Sequence, residues 1–421
     1  MFNLDLKLPY AMLIAVGLMA ALVVALLIAT IGVKGLRSIR TNRYASRQRR
    51  IEPALDLFLE KGDSSGLRAL SMRDRDLYLA QLIVDRMSVL RGEDRERMRG
   101  LARDLGLVER YLDDLSSRSR WTRARAAERL GYFGGEEEAA PIARLLSDEN
   151  ETVRAVAARS LARIGSEEAV EALVRTLDDP SEMTRLRVAE NLDRVGRAAV
   201  QPLVALLDEA LEPERQDSSH GPVLALRVLG GLRAPEARPA LRRAVREGVT
   251  PDIRAQAARA LGAVSDPEDV PLLLEAAENE AWPVRVQAAN ALGMVGESYT
   301  IPKLEVMILD REWWVRSAAA TALANMGRAG EDSLIGLLGS HDRYARDRAA
   351  ATLERRGITR RLVKQLSLDN DRGVRARAAI SALAGSGNTR HLHYLLHDMP
   401  EDEQGHELRK LLRSETVTEP E

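Results

Sequence analysis

An arginine that recurs about every 31 residues constrains the fold of this chain more than any other feature. The first series is Arg123, Arg154 and Arg185, and the second is Arg254, Arg285, Arg316, Arg346 and Arg375. Between the two series Pro222 takes the equivalent place, after a polar stretch at 208–221 that we interpret as an insertion loop. A period of this length is typical of repeat proteins, in which each repeat is one supersecondary unit.

Each repeat is predicted to be a helix–turn–helix. Small residues follow the arginine at offsets three and four, as in Ala157 with Ala158 and Ala288 with Ala289, and leucine follows at offset seven. These offsets share one face of an α-helix. In the ninth copy, whose small pair is Ala378 with Ala379, the leucine slips by one residue to Leu383. A second apolar segment follows, so each pair of helices must stack on its neighbours to bury its faces.

A glycine eleven residues after the arginine is expected to end the first helix in the left-handed conformation. It is present in six copies, as Gly134, Gly165, Gly196, Gly296, Gly327 and Gly357.

The core pattern V-R-x-x-A-A-x-x-L-G, complete at 284–293, resembles the HEAT-like repeats first described in phycobilisome lyase subunits. The resemblance covers residues 115–397 and implies an all-α chain with a HEAT-like α-α superhelical solenoid of about nine repeats. Residues 51–114 lack the pattern but keep helical spacing, and we expect them to form an N-terminal helical cap. Residues 398–421 are expected to form an acidic C-terminal tail after one last short helix.

An uncharged stretch of 23 residues at 11–33 predicts a single transmembrane helix after a short N-terminal segment at 1–10. At the rise of an α-helix it spans roughly 34 Å, enough to cross a bilayer core. A cleaved signal peptide is the competing interpretation, but its apolar region would be shorter and a small-residue cleavage site would follow. We therefore expect an uncleaved membrane anchor.

The anchor leads into a basic juxtamembrane segment at 34–50. By the positive-inside rule this segment is cytoplasmic, which puts the N-terminus outside and the solenoid in the cytoplasm at a cell inner membrane. Its cations are also expected to contact lipid headgroups. They are Lys34, Arg37, Arg40, Arg43, Arg47, Arg49 and Arg50.

Within the predicted anchor, Gly17, Ala21, Ala25 and Ala29 recur every fourth residue and form a ridge of small side chains. Such a ridge lets two transmembrane helices approach closely, either in a homo-oligomer or with a different partner. Chance spacing in an alanine-rich span is the alternative.

Charge and composition exclude several classes of function. The chain has no cysteine, which excludes disulfides, thiolate metal sites and a cysteine nucleophile. The net charge is −1 while the segment 34–50 carries seven cations and no acid, so residues 51–421 carry about −8. Such an acidic body argues against nucleic acid as a partner.

The recurring arginine could bind phosphate, but several copies have an aspartate six residues earlier, for example Asp148 before Arg154 and Asp310 before Arg316. We interpret these pairs as a structural ladder between stacked repeats. Aromatic residues two or three positions before the arginine are more suggestive of function, since tryptophan and tyrosine are enriched at interaction hot spots. They either form a partner-binding surface or wedge between repeats, and they are Trp121, Trp282, Trp313, Trp314 and Tyr344.

No catalytic residue, cofactor or metal site is predicted. His393 and His397 have helical metal-ligand spacing, but that pattern alone is weak. Deoxyhypusine hydroxylase, which the repeats also resemble, holds iron with several His-Glu pairs, and this chain has one, His406-Glu407.

The sequence therefore predicts a membrane-anchored, protein-binding scaffold, not an enzyme. By analogy with anchored HEAT-like proteins, its partner is membrane-associated and the role is accessory to a membrane glycosyltransferase. The alternative is an enzyme, or a subunit of one, of the lyase or hydroxylase type.

Overall fold

The computed structural model describes residues 49–212, 220–397 and 403–415, together with positions 17, 19, 27, 46 and 399. The described residues are helical or in turns and contain no β-strand, so the all-α prediction is confirmed. The predicted anchor at 11–33 lies outside the described residues except for three positions, and so do Ala21, Ala25 and Ala29. Of the juxtamembrane cations, only Arg49 and Arg50 are described, and both are exposed in a helix at 49–61. Within the described part of the chain, no helix has the length and apolar character needed to span a bilayer.

The chain divides into two compact bodies, Met1–Leu145 and Leu146–Glu421. The N-terminal body contains the helices of the predicted cap and the first repeat, so the body boundary lies one repeat later than residue 114. Tyr111 and Phe133 lie fully buried at its centre, and the Tyr111 hydroxyl donates to Asp76 at 2.6 Å. After 49–61, its α- and π-helical segments are Ser65–Arg68, Met72–Asp74, Arg75–Leu79, Ala80–Met87, Gly92–Asp104, Leu107–Asp114, Arg120–Phe133 and Ala139–Ala143.

The C-terminal body contains repeats two to nine, each a longer first helix followed by a shorter second one. The first helices are Glu151–Ile164, Glu182–Val195, Gly221–Leu232, Pro251–Val264, Trp282–Val295, Trp313–Asn325, Arg343–Arg355 and Asp371–Gly385. The second helices are Glu167–Arg175, Val200–Ala210, Arg238–Glu247, Val270–Ala276, Ile301–Met307, Gly327–Gly336, Ile358–Val363 and Arg390–His397. A last helix, Glu403–Glu415, follows. Short 3₁₀ turns join the two helices of a repeat at Gly196–Ala199, Pro235–Ala237, Pro267–Asp269 and Ser298–Thr300, and they follow the second helix at Thr176–Asp178 and Leu337–Gly339.

The first helices begin and end where local chemistry dictates. Ser181 accepts a hydrogen bond from the Thr184 N–H, which caps the start of one helix. At the other end, Gly165 and Gly296 are left-handed as predicted, because only glycine adopts that conformation without cost. Gly134 is an exception to the prediction, since its backbone is extended. Glycine is required there for space, because a Cβ would lie 2.7 Å from a carbonyl oxygen of the preceding turn.

Three consecutive first helices pack against the next through a glycine. A Cβ added to Gly262 would lie 2.5 Å from the Cα of Ala291, and one added to Gly293 would lie 2.6 Å from the Cα of Ala322. There is no room for either atom, so the helix backbones are in direct van der Waals contact. We call these contacts the glycine–alanine seam, and its pairs are Gly230 with Ala260, Gly262 with Ala291 and Gly293 with Ala322.

The recurring arginine is structural, as predicted, but it bonds mainly to the main chain. Its Nη1 donates to the carbonyl oxygen six residues earlier, at 2.9 Å from Arg154 to Asp148 and at 2.8 Å from Arg316 to Asp310. Two copies also reach the aspartate of the next repeat, and the clearest is Arg285, whose Nε and Nη2 donate to both carboxylate oxygens of Asp310. The guanidinium therefore ties a turn to its own helix and, in those copies, to the next repeat.

The ninth repeat departs from the predicted register. Arg375 pairs instead with Asp332 and Glu331, while Arg377 donates to the carbonyl oxygen of Leu366 at 2.7 Å. Ala378, predicted on the packed face, is exposed, and the buried face is formed by Ala379, Ile380 and Leu383. The whole packed face of this helix is therefore shifted by one residue relative to the other repeats, and not only its leucine.

Candidate protein-binding surface

The five aromatic residues singled out by the sequence all lie near the N-terminal ends of first helices, and all are exposed. Between 42% and 68% of each residue is accessible to solvent, so a large part of each is open to contact with a partner. We call the members in the C-terminal body, Trp282, Trp313, Trp314 and Tyr344, the aromatic edge, and Trp121 lies in the N-terminal body.

The two helices that begin with tryptophan lack a capping side chain. Ala281 and Glu312 occupy the positions where most other repeats have serine, threonine, asparagine or aspartate, and neither side chain accepts a bond from the helix. An uncapped helix start costs stability. A helix start without its preferred capping residue is expected at a functional position, because the residue there serves binding at the expense of stability.

Trp313, Trp314 and Tyr344 form a cluster with two arginines. The two indole rings meet edge to face with centroids 4.6 Å apart. The guanidinium carbon of Arg348 lies 4.7 Å from the centroid of Trp313, and that of Arg316 lies 5.4 Å from the centroid of Tyr344. Each arginine thus stacks on an aromatic ring of the neighbouring repeat, which holds the rings in place at the surface.

Arg348 is the cation of this cluster that sequence reasoning missed. Its Nε is buried and has no hydrogen-bond partner among the described residues. Burial, together with the neighbouring charges of Arg355 and Arg316, lowers the pKa of Arg348. The only signal in the sequence was its position, two residues after the recurring arginine. The two preceding repeats, which also have aromatic residues near the start of the first helix, have Gln287 and Ala318 at that position.

Trp282 lies apart from this cluster, at one end of a groove of about 530 Å³. The groove crosses the first helices of repeats three to six. Its apolar lining includes Leu186, Leu224 and Val286, and Gln256 and Gln287 supply amide groups beside them. Amide side chains can bond to peptide main chain while apolar residues accept side chains, so the groove suits an extended polypeptide.

One histidine, His391, makes a contact between repeats. His391 Nδ1 lies 2.9 Å from a carboxylate oxygen of Glu354 on the preceding repeat. In the described residues, no group of three or more histidine and carboxylate side chains is placed to hold a metal ion.

Paired helices that repeat about every 31 residues define the class of this chain as a helical-repeat protein. A model of HEAT repeats matches residues 106–193, 139–220, 222–285 and 272–354, which together cover more than half of the chain. The chain therefore belongs to the HEAT repeat family, as its arginine-centred pattern predicted. No curated protein matches the chain in sequence.

Solved structures with a similar helical-repeat arrangement have little sequence identity to this chain. The karyopherin Kap121p bound to the SUMO protease Ulp1p is 14% identical, with a TM-score of 0.45 over 85% of this chain and 47% of Kap121p. The CpcE–CpcF complex of phycocyanin lyase from Nostoc is 18% identical, with a TM-score of 0.28 over 73% of this chain and 94% of that one. Human deoxyhypusine hydroxylase is 22% identical, with a TM-score of 0.26 over 59% of this chain and 96% of the hydroxylase.

Proposed function

We propose that this protein is a membrane-anchored scaffold whose HEAT repeats bind a protein partner through the aromatic edge. The observation that carries the proposal is the exposure of Trp282, Trp313 and Trp314 at the starts of two consecutive first helices. Exposed tryptophans are costly in water and are enriched at the centres of protein interfaces. A partner that covers them would bury large apolar side chains with little loss of conformational freedom.

The membrane part of the proposal rests on the sequence. The uncharged stretch at 11–33 and the seven cations at 34–50 are what a single-pass anchor with a cytoplasmic C-terminal side requires. Anchoring would raise the effective concentration of the repeats near a membrane partner. We propose that this partner is itself a membrane enzyme or complex, and a membrane glycosyltransferase is the example suggested by analogy.

The binding role is tested by crosslinking in membranes followed by affinity purification of the full-length chain. Changing Trp282, Trp313 and Trp314 together to alanine should reduce the yield of specific partners by roughly 30-fold or more, the effect of losing a hot spot. Tyr299→Ala with Val306→Ala is the matched control, because it removes exposed apolar area at a second helix. Equal partner yields from the wild type and the tryptophan variant would contradict the proposal.

The anchoring role needs a separate test. After alkaline carbonate extraction, the wild-type chain should remain in the membrane pellet, whereas a variant lacking residues 11–33 should be released. Release of the wild-type chain would contradict the anchor without affecting the proposal about the aromatic edge.

A further inference from the structure

The cluster around Trp313 contains an unusual concentration of positive charge. The guanidinium groups of Arg316 and Arg355 both lie near enough to Arg348 for their charges to lower its pKa. They come from two neighbouring first helices, Trp313–Asn325 and Arg343–Arg355. Three cations this close repel one another unless an anion lies among them.

None of the three guanidiniums has a carboxylate partner in the described part of the chain. Arg316 donates to the carbonyl oxygens of Asp310 and Arg311, which are neutral acceptors. Arg355 donates to the carbonyl oxygen of Ala351 and the hydroxyl of Thr352, which are also neutral. Arg348 rests on the face of Trp313.

The acids of the same two helices are engaged elsewhere. The helix Trp313–Asn325 contains no aspartate or glutamate. On Arg343–Arg355, Asp347 lies 3.6 Å from Arg343, and Glu354 lies 2.9 Å from His391. The cluster thus lacks a counter-ion of its own, in contrast to Arg194, the repeat-three equivalent of Arg355, which is neutralised by Glu190 at 2.6 Å.

We infer that this cluster binds a carboxylate of a partner protein, in an acidic peptide segment whose neighbouring apolar side chain packs on Trp314 and Tyr344. Arginine forms a planar fork that matches a carboxylate, and such charge-assisted bonds are strong when partly shielded from water. The exposed rings beside the guanidiniums require an apolar group next to the acid. The inference rests on the proposed function and gives the chemistry of the partner at the aromatic edge.

A short acidic segment fits better than a polyanion. Residues 51–421 carry a net charge of about −8, so the body as a whole repels a nucleic acid, while three local cations can still attract one or two carboxylates. The distant charges of the body are already screened at moderate ionic strength, so adding more salt should mainly weaken the local attraction and hence the binding.

The test uses the full-length protein in neutral detergent and a labelled ten-residue Gly/Ser peptide with a central Glu-Phe-Glu. The matched probe replaces both glutamates by glutamine. Fluorescence polarisation should show that the acidic peptide binds about tenfold more tightly than the glutamine peptide, since bonds to charged groups are worth that much. Arg348→Gln should abolish the difference, and Arg355→Gln, at an exposed position, should reduce it even if Arg348→Gln proves unstable.

Arg194→Gln is the matched control, because it removes the same side chain from the equivalent site of another repeat where a carboxylate already neutralises it. It should leave both peptides unaffected. Equal binding of the two peptides, failure of the acidic peptide to bind, or equal losses with Arg194→Gln would overturn the inference. Tighter, Arg348-dependent binding of a single-stranded oligonucleotide or of anionic vesicles would overturn it too.

Failure of this inference can be told apart from failure of the proposed function. If the tryptophan variant loses its membrane partners but Arg348→Gln retains them, the aromatic edge binds a partner without an acidic segment. If neither variant loses partners, the proposed function fails as well.

Discussion

The two ends of the helices Trp282–Val295 and Trp313–Asn325 follow opposite rules. Near their C-terminal ends, Gly293 and Ala322 approach so closely that no additional atom fits between the helices. At their N-terminal ends the same helices present tryptophans to solvent and lack a capping side chain. The seam packs repeats four to seven against one another, whereas the exposed aromatics of repeats six to eight lie at the surface.

This contrast separates residues that fold the chain from residues available for binding. A side chain that recurs in many repeats serves what those repeats share, which is stacking on their neighbours. An exposed aromatic residue that appears in only some repeats gives no such packing benefit. The arginine belongs to the first group despite its charge, because it bonds to its own turn.

The largest loss of stability is expected from a larger side chain in the glycine–alanine seam. Gly262→Val should lower the free energy of unfolding by about 3 kcal/mol or more, because its Cβ would collide with the backbone of Ala291 and force the helices apart. Thermal unfolding followed by circular dichroism measures the loss. Gly100→Ala, in a helix where a Cβ meets nothing, should instead raise the stability by about 0.5–1 kcal/mol. A Gly262 variant as stable as the wild type would show that the seam is not close-packed.

The ion pair between repeats should have the next largest effect. Asp310→Asn should cost about 2 kcal/mol at neutral pH, since it leaves the largely buried guanidinium of Arg285 without its carboxylate. Burial by itself would raise the pKa of Asp310, but hydrogen bonds from Arg285 and the Glu312 N–H outweigh it and lower the pKa.

A carboxyl whose pKa is lower in the folded state stabilises the fold above its unfolded pKa, and this contribution is lost as the pH falls through the folded pKa. The wild type should therefore lose this increment below about pH 4, the unfolded value of an aspartate. The difference in the free energy of unfolding between wild type and Asp310→Asn should become smaller over the same pH range. Urea titrations at several pH values measure it. A difference independent of pH would contradict the role of the charge.

The next prediction concerns the missing helix cap at Ala281, directly before Trp282. Ala281→Ser places a hydroxyl at a helix start with extended backbone geometry, and it should raise the free energy of unfolding by about 1 kcal/mol. The reverse change, Ser181→Ala, should lower stability by a similar amount because that serine already caps its helix. If Ala281→Ser does not raise the free energy of unfolding, the missing cap does not destabilise this helix. The absence of a cap would then give no support to a binding role at this position.

The smallest expected effect on folding is at the aromatic edge itself. Trp314→Ala should change the free energy of unfolding by less than about 0.5 kcal/mol, because the residue is 58% exposed. Chemical denaturation of this variant beside Gly262→Val compares the two ends directly. A large loss of stability from Trp314→Ala would assign the tryptophan to packing instead of binding.

The ninth repeat shows where sequence periodicity stops predicting contacts. The spacing of the arginines placed Arg375 in the ladder, but the packed face is set by Ala379, Ile380 and Leu383, one residue out of register. Arg377, not Arg375, then donates to carbonyl oxygens of the preceding turn, those of Leu366 and Leu368. Where two registers differ by one residue, burial of the apolar face decides, because it contributes more free energy than one hydrogen bond.

By itself, the amino-acid sequence determined the helical-hairpin repeat, its family and the positions of the exposed aromatics, because period, small-residue spacing and caps are local properties of the chain. Only the tertiary structure decided that the tryptophans face solvent, that Arg348 stacks on Trp313, and that the nearby acids are engaged elsewhere. These facts depend on which side chains of successive repeats meet. Stacking brings together residues about 30 positions apart, and no local pattern specifies which of their charged side chains form ion pairs.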